Sequence, residues 1–293
     1  IDLSGWQFTV DPRLEFRQMF TEAWRLERDY FYDRGMHGVD WPAMLAKYLP
    51  LVDRVSDRHE LSDLIAQMVG ELSALHIYVA GGELREGPED VNVAALGARL
   101  RPFPGGGLVI DHVYRADPDD PDRRGPLARP DLEIASGDVV THVNGVVTND
   151  LLTLGKTLRN QVGRQVRIRL GSRTGEPRDV IVTPISQTAE RNLRYGEWEL
   201  VRRERVEEWS QGTMGYVHIR SMGGRNYAED WARHFYPVFD RQGLVVDVRH
   251  NTGGNIDSWI LEKLLRQAWM YWQGRAGDPT WNMQHAFRGH VVV

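Results

Sequence analysis

Two places in this sequence carry residue types and spacing that could do chemistry. The first is Asn251-Thr252-Gly253-Gly254, which closes the apolar run GLVVDVRHN (243 to 251) and precedes a helical pattern. Two glycines after a buried strand let successive backbone N–H groups converge on one point, as stabilising an oxyanion requires. A helix N-terminus just beyond adds positive potential. A tight strand-to-helix turn also needs glycine for its dihedral angles alone, so the tetrad by itself leaves both readings open. The second place is His76, between Leu75 and Ile77 at the end of a helical run and shortly before Gly81-Gly82. A histidine there could act as a general base near neutral pH, or be a packed or surface histidine.

Other chemistries find no support. Gly155-Lys156-Thr157 resembles the tail of a phosphate-binding loop, but that motif needs a glycine where Asp150 stands, and the triplet lies in a helical run. Gly105-Gly106-Gly107 follows Pro102-Phe103-Pro104 and reads as a hairpin turn. No His-Glu-x-x-His occurs, and His285 and His290 have the wrong spacing for a helical ligand pair, so neither a metal nor an organic cofactor is implied. None of the ten serines sits in a Gly-x-Ser-x-Gly elbow. The sequence has no cysteine, which excludes disulfides, thiolate metal sites and a Cys nucleophile. With 36 Lys+Arg against 41 Asp+Glu the net charge is −5, which argues against nucleic acid as a partner. No apolar window reaches the length of a membrane span, and no membrane partner is expected.

The elements that must position these residues fall into three stretches. In residues 12 to 33, Leu14, Met19, Phe20, Ala23, Trp24, Tyr30 and Phe31 recur at spacings near three and four, as in an amphipathic helix. Asp40 and Asp57 are natural N-caps for two further helices, so residues 12 to 73 are predicted to form a small helical bundle. Residues 83 to 94 read as a polar linker. Short strands follow at 95–100, 107–114, 138–145, 165–171 and 178–185, with one helix from Asn149-Asp150 to Arg159, as in a small, partly open β-barrel module. The charged run 188 to 210 is a connecting helix or extended arm. Strands at 215–222, 243–251 and 289–293 then alternate with helices at 225–240 and 255–272, the order of a parallel sheet with right-handed crossovers. The expected fold is thus multidomain, α+β and α/β. It comprises a helical domain (1–90), a β-barrel module (91–187) and an α/β domain with a mostly parallel sheet (188–293).

A resemblance runs along almost the whole chain. The segments EAWRLERDYFYDRGMHGVDWPAMLAKYLPL, RHELSDLIAQMVGELSALHIYVAGGELR, LGARL, GPLARPDLEIASGDVVTHVNG and GLVVDVRHNTGGNIDSWILEKL are together similar to the core of the tricorn protease family. These are serine peptidases related to the C-terminal processing, or tail-specific, proteases. The resemblance implies a helical first core domain, a PDZ domain and an α/β second core domain. His76 matches the family's general base, and Gly254, with Gly253 beside it, matches the oxyanion turn. Leu96-Gly97-Ala98 matches the PDZ loop that can receive a chain terminus, and Ser136-Gly137-Asp138 through Asn144-Gly145 matches that module's hairpin. The implied substrates are short peptides or unfolded polypeptides, and the implied assembly is a homo-oligomer.

Two departures accompany the match. Leu75 stands where the family has a serine that helps hold the catalytic network. The family's nucleophilic serine follows the strand that begins here as GHVVV, which places it beyond Val293. The start, IDLSGWQFTV, has neither Met nor a signal peptide, so the chain reads as a piece of a longer protein, expected to be cytoplasmic, with a periplasmic location as the alternative. On this reading the 293-residue chain alone lacks peptidase activity. The rival reading is a catalytically inactive PDZ-centred scaffold for peptide binding or assembly.

Overall fold

The computed structural model describes residues 9–82, 91–171 and 176–293, with backbone alone at 225–228; residues 83–90 of the expected linker lie outside the described residues. The chain forms two compact units, 1–90 and 91–293.

The first unit holds three helices, each begun by an aspartate that accepts hydrogen bonds from the first-turn amides. α1 (Pro12–Tyr30) is capped by Asp11 on Arg13 N at 3.0 Å, α2 (Trp41–Val52) by Asp40 on Ala43 N, and α3 (Arg58–Gly70) by Asp57 on His59 N and Glu60 N. Their apolar faces close around Phe20, Trp41, Leu61, Met68 and Leu72. The buried stripe of α1 is narrower than its spacing suggested, because Leu14 and Tyr30 are exposed. Two reciprocal bonds lock α1 to the start of α2, Trp24 Nε1 to the Trp41 carbonyl at 2.8 Å and Trp41 Nε1 to the Trp24 carbonyl at 3.0 Å.

The second unit opens with an antiparallel sheet. Its strands are β1 (Ala98–Pro102), β2 (Leu108–Val113), β3 (Val139–Val143), the short β4 (Val146–Val147), then α4 (Leu151–Thr157), β5 (Val166–Gly171) and β6 (Arg178–Val182). The order is β1-β2-β3-β5-β6, with β4 hanging from β3, so the sheet is open and β1 is an edge. Leu108, Ile110, Val140, Val166, Ile168 and Val182 fill its interior. Gly106 N donates to the Phe103 carbonyl at 3.0 Å, as expected of the triglycine hairpin. Gly155-Lys156-Thr157 lies within α4.

α5 (Gln187–Trp209) then leads to the parallel sheet; of the two forms expected for the charged run, the chain adopts the helix. β7 (Met214–His218), α6 (Arg225–Phe235), β8 (Gly243–Asp247) and α7 (Asp257–Leu264) follow, then the small hairpin of β9 (Tyr271–Trp272) and β10 (Thr280–Trp281), then β11 (His290–Val292). The strand order is β11-β8-β7, all parallel, with β8 central. α7 stops at Leu264, well short of the expected residue 272. The aromatic run after it pairs as a strand instead, with the Tyr271 and Trp281 rings 5.6 Å apart across the hairpin.

Candidate active site

The carboxyl ends of β7 and β8 carry a buried polar network. Asp247, the last residue of β8, is 7% exposed. It accepts from the Tyr216 hydroxyl at 2.8 Å, from Arg249 Nε at 2.9 Å and from the Arg249 backbone N–H at 3.0 Å. The Arg249 guanidinium holds this carboxyl well below the usual carboxylate range. Burial, with the bond to Asp247, pushes the Tyr216 phenol up. His218 Nδ1 lies 2.8 Å from the Asp247 backbone oxygen, and its Nε2 lies 2.7 Å from the Tyr195 hydroxyl. A carbonyl can only accept, so Nδ1 carries the hydrogen and Nε2 accepts from the tyrosine. Burial keeps this imidazole neutral by lowering its pKa.

This network anchors the glycine turn. Asn251 Nδ2 donates to the Ile219 carbonyl at 2.8 Å, and Asn251 Oδ1 accepts from Gly253 N at 2.7 Å. Met222 N donates to the Gly253 carbonyl at 2.7 Å, while Asn255 N and Ile256 N donate to the Met222 carbonyl at 2.7 and 3.1 Å. The two glycines therefore differ. The Gly253 N–H is committed to Asn251, whereas the Gly254 N–H has no hydrogen-bond partner among the described residues. Gly254 has φ +141°, and a Cβ on it would overlap the Met222 carbonyl group and Gly223 N. Only glycine lets β8's continuation approach the chain after β7 this closely.

Beside the turn lies a cavity of about 580 Å³, lined in part by Tyr195, Glu199, Arg203, Arg220, Ser221 and His234. Ser221 joins it to the turn, since its Oγ donates to the Gly253 carbonyl at 3.2 Å. Glu199 Oε1 lies 3.3 Å from His234 Nδ1, and both side chains are 20% exposed or less. Burial acts on them in opposite senses, raising Glu199 to about 7 and lowering His234. Burial thus favours the uncharged form of each partner over a fixed ion pair.

The other expected residues lie as follows. α3 ends at Gly70, and Ser73, at φ 49°, turns the chain, so His76 sits in an exposed turn of the first unit rather than at a helix end. Its ring faces Tyr78, 6.2 Å away between centroids, and makes no hydrogen bond among the described residues. Leu75 is 89% exposed. Leu96, Gly97 and Ala98 are buried, and the Gly97 N–H donates to Glu190 at 2.8 Å. Among the described residues no group of three or more His, Asp or Glu is placed to hold a metal ion, and no helix is long and apolar enough to cross a membrane. Tyr216, His218 and Asp247 belong to no motif that the sequence displays. Their signal was a charged residue at the end of the otherwise apolar GLVVD and a histidine at the end of GYVH.

A helical domain, an open antiparallel module and a parallel sheet with a glycine turn at its strand ends define a three-part class. Family models match it part by part: the tricorn protease C1 domain at residues 12–70, the tricorn protease PDZ domain at 95–187 and peptidase family S41 at 213–293. Tricorn protease homolog 1 of Streptomyces coelicolor is 36% identical across all of this chain, which covers 27% of that relative. The tricorn protease of Thermoplasma acidophilum is 29% identical, with 95% of this chain and 26% of the relative covered. The crystal structure of the tricorn protease superposes on 99% of the chain and 28% of its own, with a TM-score of 0.85 and 27% identity. The chain belongs to the tricorn protease family. It spans about a quarter of the length of the curated relatives it matches.

Proposed function

We propose that the protein carrying this chain is a serine peptidase that hydrolyses short peptides or unfolded polypeptides by acyl transfer. The observation that carries the reading is the uncommitted Gly254 N–H at the strand ends of the segment matched to peptidase family S41. In this mechanism a serine contributed by residues after Val293 attacks the scissile carbonyl and passes its proton to His76. The Gly254 N–H stabilises the oxyanion, and the departing amine takes the proton back from His76. Water then releases the acyl group by the same proton route. The intact protein works as a homo-oligomer in the cytoplasm, or in the periplasm if a leader directs it there.

A second reading, a catalytically inactive scaffold, is favoured by one observation: among the described residues the His76 ring has no orienting hydrogen bond, and exposed Leu75 beside it can supply none. Turnover of a fluorogenic peptide by the intact protein and by its His76→Ala variant separates the two. The peptidase reading expects activity that falls by about four orders of magnitude in the variant, with the fold retained. An inactive wild-type protein supports the scaffold, and undiminished turnover in the variant removes His76 from the mechanism. The 293-residue chain alone is expected to be inactive.

A further inference from the structure

The loop that precedes β1 is already occupied. Gly97, at φ +74°, donates its N–H to Glu190 Oε2 at 2.8 Å, and 93 positions separate the two residues in sequence. The surroundings are close: a Cβ on Gly97 would lie 2.9 Å from Pro126 Cδ, 3.2 Å from Gly125 Cα and 3.3 Å from Leu193 Cδ1. Glu190 and Leu193 share the first turns of α5, and they share a face with Glu197 and Glu204 further along, at helical spacings of three, seven and fourteen. That face is tied down along its length. Glu197 accepts from Arg115 N at 3.1 Å and lies 2.7 Å from His112 Nε2, and Glu204 pairs with Arg115 at 2.9 Å.

β1 is an edge strand, paired on one side by β2. A peptide added to such an edge by strand augmentation ends with its terminal carboxylate on the loop's backbone N–H groups. In this chain a side-chain carboxylate stands at that position.

We propose that Glu190 is the resident ligand of the Leu96-Gly97-Ala98 loop. It closes the module to the free C-termini of other chains and clasps α5 to the antiparallel sheet. The site is a carboxylate site whose occupant is built in, and a free terminus can enter only when the first turn of α5 lifts away with Leu193.

The test uses the 293-residue chain and a decapeptide with an apolar last residue, prepared as the free acid and as the C-terminal amide. The wild type is expected to bind both forms within about twofold of each other. Glu190→Ala combined with Leu193→Ala should prefer the free acid by about tenfold or more. Glu190→Gln keeps the side chain's shape but removes its charge, so the Gly97 amide proton should shift upfield in its NMR spectrum. A wild type that already prefers the free acid by tenfold overturns the proposal. So does a double variant that retains its amide spectrum yet shows no preference, or a Gly97 signal that Glu190→Gln leaves unmoved.

Discussion

Replacing Gly254 by alanine, with Gly253→Ala as its control, measures how much the glycine turn owes to close backbone approach rather than to dihedral freedom. Both residues have positive φ, +80° at Gly253 and +141° at Gly254, so each alanine bears a conformational cost of about 1–2 kcal/mol. Space distinguishes them. Among the described residues nothing lies within 4 Å of a Cβ on Gly253, whereas one on Gly254 overlaps the Met222 carbonyl and Gly223 N. Relieving that overlap must move the chain after β8 away from the chain after β7. The bonds from Met222 N to the Gly253 carbonyl and from Asn255 N and Ile256 N to the Met222 carbonyl then break. At about 0.5–1.5 kcal/mol each, three bonds add about 1.5–4.5 kcal/mol to the dihedral cost. Gly254→Ala should therefore destabilise the turn by about 2.5–6.5 kcal/mol and Gly253→Ala by about 1–2. Amide hydrogen exchange reads this directly. Protection at Met222, Asn255 and Ile256 should fall by at least about a hundredfold in Gly254→Ala and by about tenfold in Gly253→Ala. Equal protection losses in the two variants would refute the argument from close approach.

Asp247→Asn should destabilise the protein by about 2–3 kcal/mol at neutral pH, since it strips the charge from a carboxylate that holds Tyr216 and Arg249. The pKa of Asp247 is depressed in the folded state, so its stabilisation is present above the unfolded aspartate value and is lost as pH falls through the acid range. The gap in melting temperature between wild type and variant should accordingly narrow steadily as pH falls below the unfolded aspartate value. Glu199→Gln acts with the opposite sign. The fold prefers the protonated carboxyl, so that preference contributes fully below the ordinary glutamate value and is lost as pH rises to about 7. The variant, which never ionises, should melt with the wild type at pH 4 and be more stable by about 1–3 kcal/mol at pH 8.5, as thermal unfolding at the two pH values will read.

What could be foreseen from the sequence divides by the distance over which each feature is specified. The three helices of the first unit were legible because their apolar residues keep helical spacing and Asp40 and Asp57 cap the second and third locally; the Asp11 cap of the first emerges only in the structure. The parallel arrangement of β7 and β8 was legible from strand-helix alternation and confirmed by their pairing. The end of α7 was not, because Gln267 to Trp272 suits a helix or a strand equally, and pairing with Thr280-Trp281 decides it. Within the site, the two glycines looked equivalent until the Asn251 side chain took one N–H and left the other. The Tyr216–Asp247 bond joins residues 31 apart on neighbouring strands, and no local pattern specifies that pairing. Likewise, nothing near Gly97 in sequence announces that its N–H belongs to Glu190.

α5 also sets a rule for how this chain can change length. Its 23 residues extend for about 34 Å, gripping the antiparallel sheet through Glu190, Glu197 and Glu204 while packing along β7. One inserted residue would rotate everything beyond it by about 100° and advance it by about 1.5 Å, carrying Glu204 away from Arg115 or Glu190 away from Gly97. Seven inserted residues restore the face to within about 20° but push the two grips about 10 Å further apart. The helix therefore acts as a gauge with a phase as well as a length. Insertions between these two sheets are tolerable in the loops at its ends and forbidden inside it.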